Sequence, residues 1–293
     1  MILGVGDGYN DVNMLQTAHI GIGIQGIESS AADAFADFSV PKFRDLRRMM
    51  FWHGRSYGNK VYIMILMDLF KMIMRLPHSV FANWFNLKNG FEITDGLFLA
   101  LYNVCFTTLY IGFWCVYNYD VDQSLHKYDE SRLSYKMYDL YAFHRKEMSQ
   151  FFKRQMYMTL YGTGIGTVSY FIYHHLERYG AIDSFGNAVS GESLGVQVTV
   201  WSTLVHHLVL ILYTDNWDLC TVGYFLSSFN FIFWISFIND ADPLSRNYKA
   251  ITSFLYLTPM FWIWTLITTA IAVIPIYFYL RYRQLIQYPH FFS

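Results

Sequence analysis

The 293-residue chain is short of charge: Asp, Glu, Lys and Arg make up 15% of it, against about 25% in an ordinary soluble domain. It is also short of cysteine, and Cys105, Cys115 and Cys220 cannot build the disulfide framework of a small secreted protein. With 6 prolines and 19 glycines, it is neither collagen-like nor of low complexity. The 21 basic and 22 acidic residues leave a formal charge of -1, so no global field draws the chain to nucleic acid. A secretory leader, with its basic start and long apolar region, is missing as well. The opening Met1-Ile2-Leu3-Gly4-Val5-Gly6-Asp7 reads instead as an interior strand entering a loop, as if a domain were already under way. What is abundant is apolar: 54% hydrophobic and 20% aromatic residues, with a mean hydropathy of +0.22. That is the composition of a membrane protein.

The apolar residues are unevenly spread. Residues 1–60 hold six basic residues, six acidic residues and eight of the 19 glycines, as a soluble segment would. Beyond them, uncharged stretches run over 96–119, 155–173, 194–214, 219–238 and 259–280. Each approaches the roughly 20 residues needed to cross a bilayer. A sixth stretch, 61–81, is interrupted by Asp68, Lys71 and Arg75. So many long apolar runs exceed what one soluble core could bury, and six spans are expected. The loop 118–154 carries Lys127, Arg132, Lys136, Arg145, Lys146, Lys153 and Arg154, whereas 174–193 carries only Arg178. Basic loops mark the cytoplasmic side. Residues 1–60 and the tail 286–293 are then cytosolic, which requires an even number of spans.

The soluble segment carries a candidate site. Gly6-Asp7-Gly8-Tyr9-Asn10-Asp11 follows a strand-like stretch at 2–5 and precedes a helix-like start at Val12. Asp7 and Asp11 suit a hard cation, since magnesium takes oxygen ligands, keeps several waters and needs one or two carboxylates. Gly6 and Gly8 let the backbone approach a phosphoryl group. A plain strand-to-helix turn, with Asp and Asn only capping the helix, remains open on spacing alone. Gly21-Ile22-Gly23-Ile24-Gln25-Gly26 matches a dinucleotide fingerprint, but glycines alternating with isoleucines read as a buried strand and its turn. Gly162-Thr163-Gly164-Ile165-Gly166 lies within a span, where small residues allow helices to pack closely.

The longer pattern is more specific. Gly6-Asp7-Gly8-Tyr9-Asn10-Asp11-Val12-Asn13-Met14-Leu15 resembles the G-D-G-x-N-D hinge motif of P-type ATPases. Ala18-His19-Ile20-Gly21-Ile22-Gly23-Ile24, Gly26-Ile27-Glu28, Phe43-Arg44-Asp45-Leu46 and His53-Gly54-Arg55 resemble the phospholipid-flippase (type IV) branch. The resemblance implies a mainly α-helical membrane protein: six transmembrane helices over 61–285, preceded by the C-terminal end of an α/β haloacid-dehalogenase-like phosphorylation domain at 1–44 and a basic linker at 45–60. It implies that Asp7 coordinates magnesium, that Asn10 hydrogen-bonds the phosphoryl oxygens, and that Asp11 holds the loop and the local negative field. The family's D-K-T-G-T nucleophile motif does not occur in these residues. The chain is therefore expected to be a C-terminal portion that does not hydrolyse ATP alone, with most of the nucleotide site elsewhere.

Asp68, Lys71 and Arg75 sit at i, i+3 and i+7, within a narrow arc of one helix face. Lys71 lies ~15 Å past Val61 along a helix, near mid-bilayer. A charge there costs on the order of 3 kcal/mol and marks a functional candidate. An ion pair of Asp68 with Lys71 or with Arg75, supporting packing alone, is the plainer reading. Leu69-Phe70-Lys71-Met72 resembles the F-Y-K-N stretch of the flippase fifth helix, whose lysine lies on the lipid headgroup route. Leu101-Tyr102-Asn103-Val104 with Phe106-Thr107 resembles the sixth-helix L-Y-N-V-x-F-T, so Asn103 would line the same route, with Asp68 beside it. The paired prolines usual there are replaced by Leu109-Tyr110-Ile111, so the proline kink of that helix is not expected here.

Other features are weaker. Adjacent His206 and His207 point about 100° apart on a helix, which suits packing better than a shared metal. The basic, aromatic segment 42–60 suits either an anionic lipid surface or a simple link. The resemblance implies a multi-pass protein of plasma, Golgi or endosomal membrane, magnesium and ATP as cofactors, phospholipid as substrate, no nucleic acid, and a small two-span glycoprotein as accessory partner. The other readings are a fragment of a cation-transporting P-type ATPase, and a truncated, non-catalytic membrane protein that binds lipid. The lack of acidic residues in 96–119 argues for lipid over cations.

Overall fold

The computed structural model describes residues 1–25, 31–85, 94, 96–119, 141–142, 144–146, 148–180, 191–241 and 256–282. The expected tail 286–293, most of the loops that set the topology and the Gly26-Ile27-Glu28 extension lie outside the described residues. Two compact units emerge. One holds Met1–Lys60 with Val121–Ser149, and the other holds Val61–Asp120 with Gln150–Ser293.

In the first unit, β1 (Leu3–Gly6), β2 (Ile20–Ile24) and β3 (Phe38–Val40) form a parallel sheet in that order. Leu3 pairs with Ile20, and Ile22 with Phe38. Parallel neighbours need a crossover rather than a hairpin. Two short helices supply it: α1 (Val12–Thr17) and α2 (Ala31–Phe35). Leu15 and Ile22 are buried between sheet and helix. The glycines of β2 allow the helices to come this close. A Cβ on Gly21 would lie 2.8 Å from the Leu15 carbonyl oxygen, and one on Gly23 would lie 2.9 Å from that of Ala32. The glycine-isoleucine alternation is thus a strand packed beneath helices, and the dinucleotide reading falls away. Residues 45–60, expected as a linker, are helical: α3 (Asp45–Arg48), a wide π-helical stretch Met49–Gly54 anchored by buried Trp52, and the start of α4 (Arg55–Phe85).

Among the described residues, the second unit contains the rest of α4 and six further helices. These are α5 (Gly96–Leu101), α6 (Leu109–Tyr117), α7 (Phe151–Gly180), α8 (Gly191–Leu212), α9 (Leu219–Ala241) and α10 (Pro259–Tyr282). A π-helical stretch, Tyr102–Thr108, joins α5 to α6. Three helical runs are long and apolar enough to cross a membrane: Leu99–Tyr117, Leu194–Leu212 and Pro259–Tyr282. The expected spans 61–81, 155–173 and 219–238 also fall inside helices, the first of them with three charges along its length.

The unit packs as a membrane bundle. Of the Leu194–Leu212 run 83% is buried, against 33% for each of the other two, so α8 is the inner helix. On α4 the pattern is inverted relative to a soluble helix. Val61, Ile65, Leu69, Met72, Leu76 and Val80 are exposed, while Met67, Phe70, Lys71, Met74, Arg75 and His78 are buried. Spacings of three and four put the exposed set on one stripe, the surface that lipid would cover. Close approach of α7 to α4 is made by glycine, as expected for small residues in a span. A Cβ on Gly166 would lie 2.3 Å from the Met74 carbonyl oxygen and 3.0 Å from Pro77, and one on Gly162 would lie 3.3 Å from Phe70. Gly164 faces open space. Pro77 lacks an N–H and leaves a gap in the α4 ladder, and the bare Gly166 backbone fits against it.

Candidate functional site

The first cluster forms where β1 ends. In parallel sheets, ligands gather at the carboxyl ends of strands, and Asp7 is the residue immediately after Gly6 there. The chain turns sharply: Asp11 Oδ2 accepts the backbone N–H groups of Asp7 at 3.1 Å and Gly8 at 3.3 Å. Asp11 N–H donates back to the Gly8 carbonyl at 3.2 Å. Gly6 is required by this turn, since a Cβ there would meet the Asp11 Cβ at 2.4 Å. No Cβ contact constrains Gly8. Asp7 and Asn10 are left exposed on the rim.

The two carboxylates therefore have different work. One Asp11 oxygen is taken by the loop, so Asp11 sets the geometry of the turn. The exposed Asp7 carboxylate is the better oxygen donor for a magnesium ion, which needs few protein ligands and keeps its waters. The donor chemistry fits that ion through the exposed Asp7 carboxylate alone. Among the described residues no group of three or more His, Cys, Asp or Glu side chains is placed to hold a metal, so a site relying on several protein ligands is not built from them.

The second cluster is buried in the bundle. Lys71 Nζ lies 2.7 Å from Asp68 Oδ1, and donates to Thr107 Oγ1 at 2.9 Å and Thr108 Oγ1 at 3.1 Å. Of the two possible ion pairs, Asp68–Lys71 is the one formed. Arg75 turns elsewhere. Its Nη2 donates to Thr94 Oγ1 at 3.1 Å and Thr199 Oγ1 at 3.4 Å, and its guanidinium carbon stands 4.1 Å over the Tyr102 ring. Tyr102 itself is fully buried, and its hydroxyl donates to the Lys71 carbonyl at 3.4 Å.

The π-helical stretch explains why two threonines in sequence can both reach Lys71. Thr107 Oγ1 donates to the carbonyl five residues back, Tyr102 O, at 2.7 Å, and Thr108 Oγ1 does the same to Asn103 O. A widened turn of this kind frees backbone acceptors and commonly marks a functional place in a helix. Here it ends immediately before Leu109-Tyr110-Ile111. Asn103 is half-buried, and its Oδ1 has no hydrogen-bond partner among the described residues. Lys71, Asp68 and Asn103 are thus gathered on one seam through Thr107 and Thr108.

Sequence reasoning missed Thr94, Tyr102, Thr108 and Thr199 as members of this seam. Tyr102 and Thr107 stood inside the quoted motif, but nothing local signals Thr199, which lies 124 positions from Arg75. His206 and His207 do not share a ligand site. Their rings stand 6.0 Å apart at 79°, while His207 is bonded to the Thr203 carbonyl at 2.7 Å and stacks on Tyr110.

Known proteins are similar to this chain over most of its length. Residues 34–289 match the family described as phospholipid-translocating P-type ATPase C-terminal. Phospholipid-transporting ATPase dnf2 of Schizosaccharomyces pombe is 27% identical over 89% of this chain and 18% of its own length. Phospholipid-transporting ATPase DRS2 of Saccharomyces cerevisiae is 27% identical over 98% of this chain and 21% of its own. Human phospholipid-transporting ATPase IC is 26% identical over 94% and 22%. The chain spans about a fifth of the length of these relatives. With its apolar helices and this match over most of its length, the chain is an integral membrane protein and belongs to the phospholipid-translocating P-type ATPase C-terminal family.

Proposed function

We propose that the chain is the C-terminal portion of an ATP-driven phospholipid translocase that moves an aminophospholipid or related lipid from the exoplasmic to the cytoplasmic leaflet. The observation that carries this is the Asp68–Lys71–Thr107–Thr108 knot with Asn103 beside it, a polar seam inside an apolar bundle. Polar groups in such a place face a wet interior or a transported ligand rather than lipid tails. A cation pump would need free acidic ligands on these helices. The α4 carboxylate, Asp68, is instead paired with Lys71, which favours a headgroup over a metal cation.

In this reading the first 44 residues are the end of the phosphorylation domain, residues 45–60 join it to the membrane, and 61–285 form six spans with both termini cytosolic. The exposed Asp7 carboxylate holds magnesium, Asn10 donates to the phosphoryl oxygens, and Asp11 keeps the Asp7-Gly8 backbone in place. Gly6 and Gly8 keep the approach to the phosphoryl group open. A bound magnesium ion supplies neutralisation of charge on the phosphoryl oxygens. The phosphorylated aspartate and most of the ATP site come from polypeptide outside these residues, and a two-span glycoprotein is the expected accessory subunit.

The test is transport by the full-length protein in vesicles. Lys71→Met and Asn103→Ala are expected to raise the lipid concentration needed for half-maximal ATPase stimulation. Unchanged lipid dependence in both would remove the seam from the lipid route. Stimulation by metal cations in place of phospholipid would turn the reading to a cation pump.

A further inference from the structure

Lys71 and Arg75 stand one turn apart on α4, yet their situations differ. An ammonium group has three protons to donate. Lys71 has three acceptors, Asp68, Thr107 and Thr108, all within 3.1 Å. It is saturated. Arg75 is only 9% exposed and carries five donors in a planar fork. Nη2 is engaged by two neutral hydroxyls, and the Tyr102 ring holds the plane from one side. Nη1 has no hydrogen-bond partner among the described residues, although it is buried. The formal charges of Asp68, Lys71 and Arg75 sum to one excess positive charge on this face, and it rests on the guanidinium.

A buried, uncompensated cation is costly in an apolar medium unless an anion meets it. A guanidinium whose plane is fixed by an aromatic ring and whose Nη1 has no partner among the described residues is suited to contact with phosphate oxygens. We propose that Arg75 is an anion subsite that takes the phosphodiester of a phospholipid headgroup, one helical turn beyond the lysine. Lys71 then acts as a positioning residue. It ties α4 to the π-helical stretch and holds Tyr102, and through it Arg75, in place. This rests on the reading of the chain as part of a lipid translocase, and it adds the group that the lipid presents.

The proposal is tested by equilibrium binding of radiolabelled dioctanoyl phosphatidylethanolamine to the full-length protein in detergent. Dioctanoyl glycerol, which lacks the phosphate, is the companion ligand. Arg75→Leu is expected to weaken phospholipid binding about thirtyfold, the lower end of the loss when a buried charged partner is truncated. Binding of the diacylglycerol should not change. Arg75→Lys keeps the charge without the fork and should lose roughly fivefold, which retains a readout if the leucine variant does not fold. Equal phospholipid binding by wild type and both variants would overturn the proposal, as would parallel loss of both ligands. Asp95, next to Thr94 in sequence, supplies a further arm. Unchanged binding in Asp95→Asn supports an open guanidinium, while tighter binding would show that Asp95 already neutralises it and would overturn the proposal. Displacement of the phospholipid by millimolar inorganic phosphate would reassign the subsite to free phosphate and overturn the lipid assignment. If the wild type does not prefer phospholipid over diacylglycerol at all, the lipid-translocase reading fails with it. If the wild type prefers it and Arg75→Leu does too, only the subsite fails.

Discussion

The two polar clusters use the same chemical groups in opposite surroundings. At the end of β1, a carboxylate accepts two backbone N–H groups on an exposed loop. In the bundle, a carboxylate meets a lysine whose side chain is 5% exposed. Water can replace most of what the first loses, and nothing but protein or a ligand can replace what the second loses. The loop therefore holds a shape around a free carboxylate, Asp7. The seam holds charge that would otherwise be expelled. In the first, the proposed function falls on the residue for which no internal bond is seen among the described residues. In the second, the same logic points from saturated Lys71 to Arg75.

That contrast can be broken most severely where the bundle has no room to yield. A valine at position 166 would press its Cβ on the backbone of Met74, and Gly166→Val is expected to cost about 3 kcal/mol, the upper end for overpacking. The measurement is thermal unfolding in detergent, and an unchanged Tm would refute the close α7–α4 contact. Next comes Asp68→Ala, which leaves Lys71 without its anion. Breaking a fully buried pair costs more, but the Asp68 side chain is 42% exposed, so a loss of about 2 kcal/mol is expected. Adding Lys71→Met should recover most of the lost stability. A double variant no better than Asp68→Ala would show that the pair does not act as a unit.

The loop should respond least. Asp11→Ala removes one acceptor of two N–H groups at a solvated site, and about 1 kcal/mol is expected, read from denaturation followed by circular dichroism. Asp7→Ala should change stability by less than about 0.5 kcal/mol, yet abolish phosphoenzyme turnover in the full-length protein. If Asp7→Ala proved the more destabilising of the two, the division of roles between the carboxylates would be reversed.

Much of this was legible in the sequence, for identifiable reasons. Strand-loop-helix order around Gly6–Asp11 follows from local turn chemistry, and the glycine-isoleucine alternation of β2 from its period. The common face of Asp68, Lys71 and Arg75 follows from helical geometry alone. What lay beyond the sequence is which partner each group finds. Helical period puts both Lys71 and Arg75 on the face of Asp68, with Lys71 the nearer. The choice is made by Thr107, Thr108, Thr199 and Tyr102, which lie 27 to 124 positions away. The replacement of prolines by Leu109-Tyr110-Ile111 gave no sign that the helix is irregular just before it. A π-helical turn has no residue signature like that of proline, and it shows itself only in the hydroxyl bonds to carbonyls five residues back.

The most direct test is phospholipid-dependent phosphoenzyme turnover in the full-length protein, comparing wild type with Lys71→Met. The prediction is that phospholipid accelerates dephosphorylation of the wild type, and that Lys71→Met needs about tenfold more lipid for the same acceleration, a shift of about 1.4 kcal/mol. Dephosphorylation indifferent to phospholipid, or an identical lipid response in the variant, would contradict a lipid route along this seam.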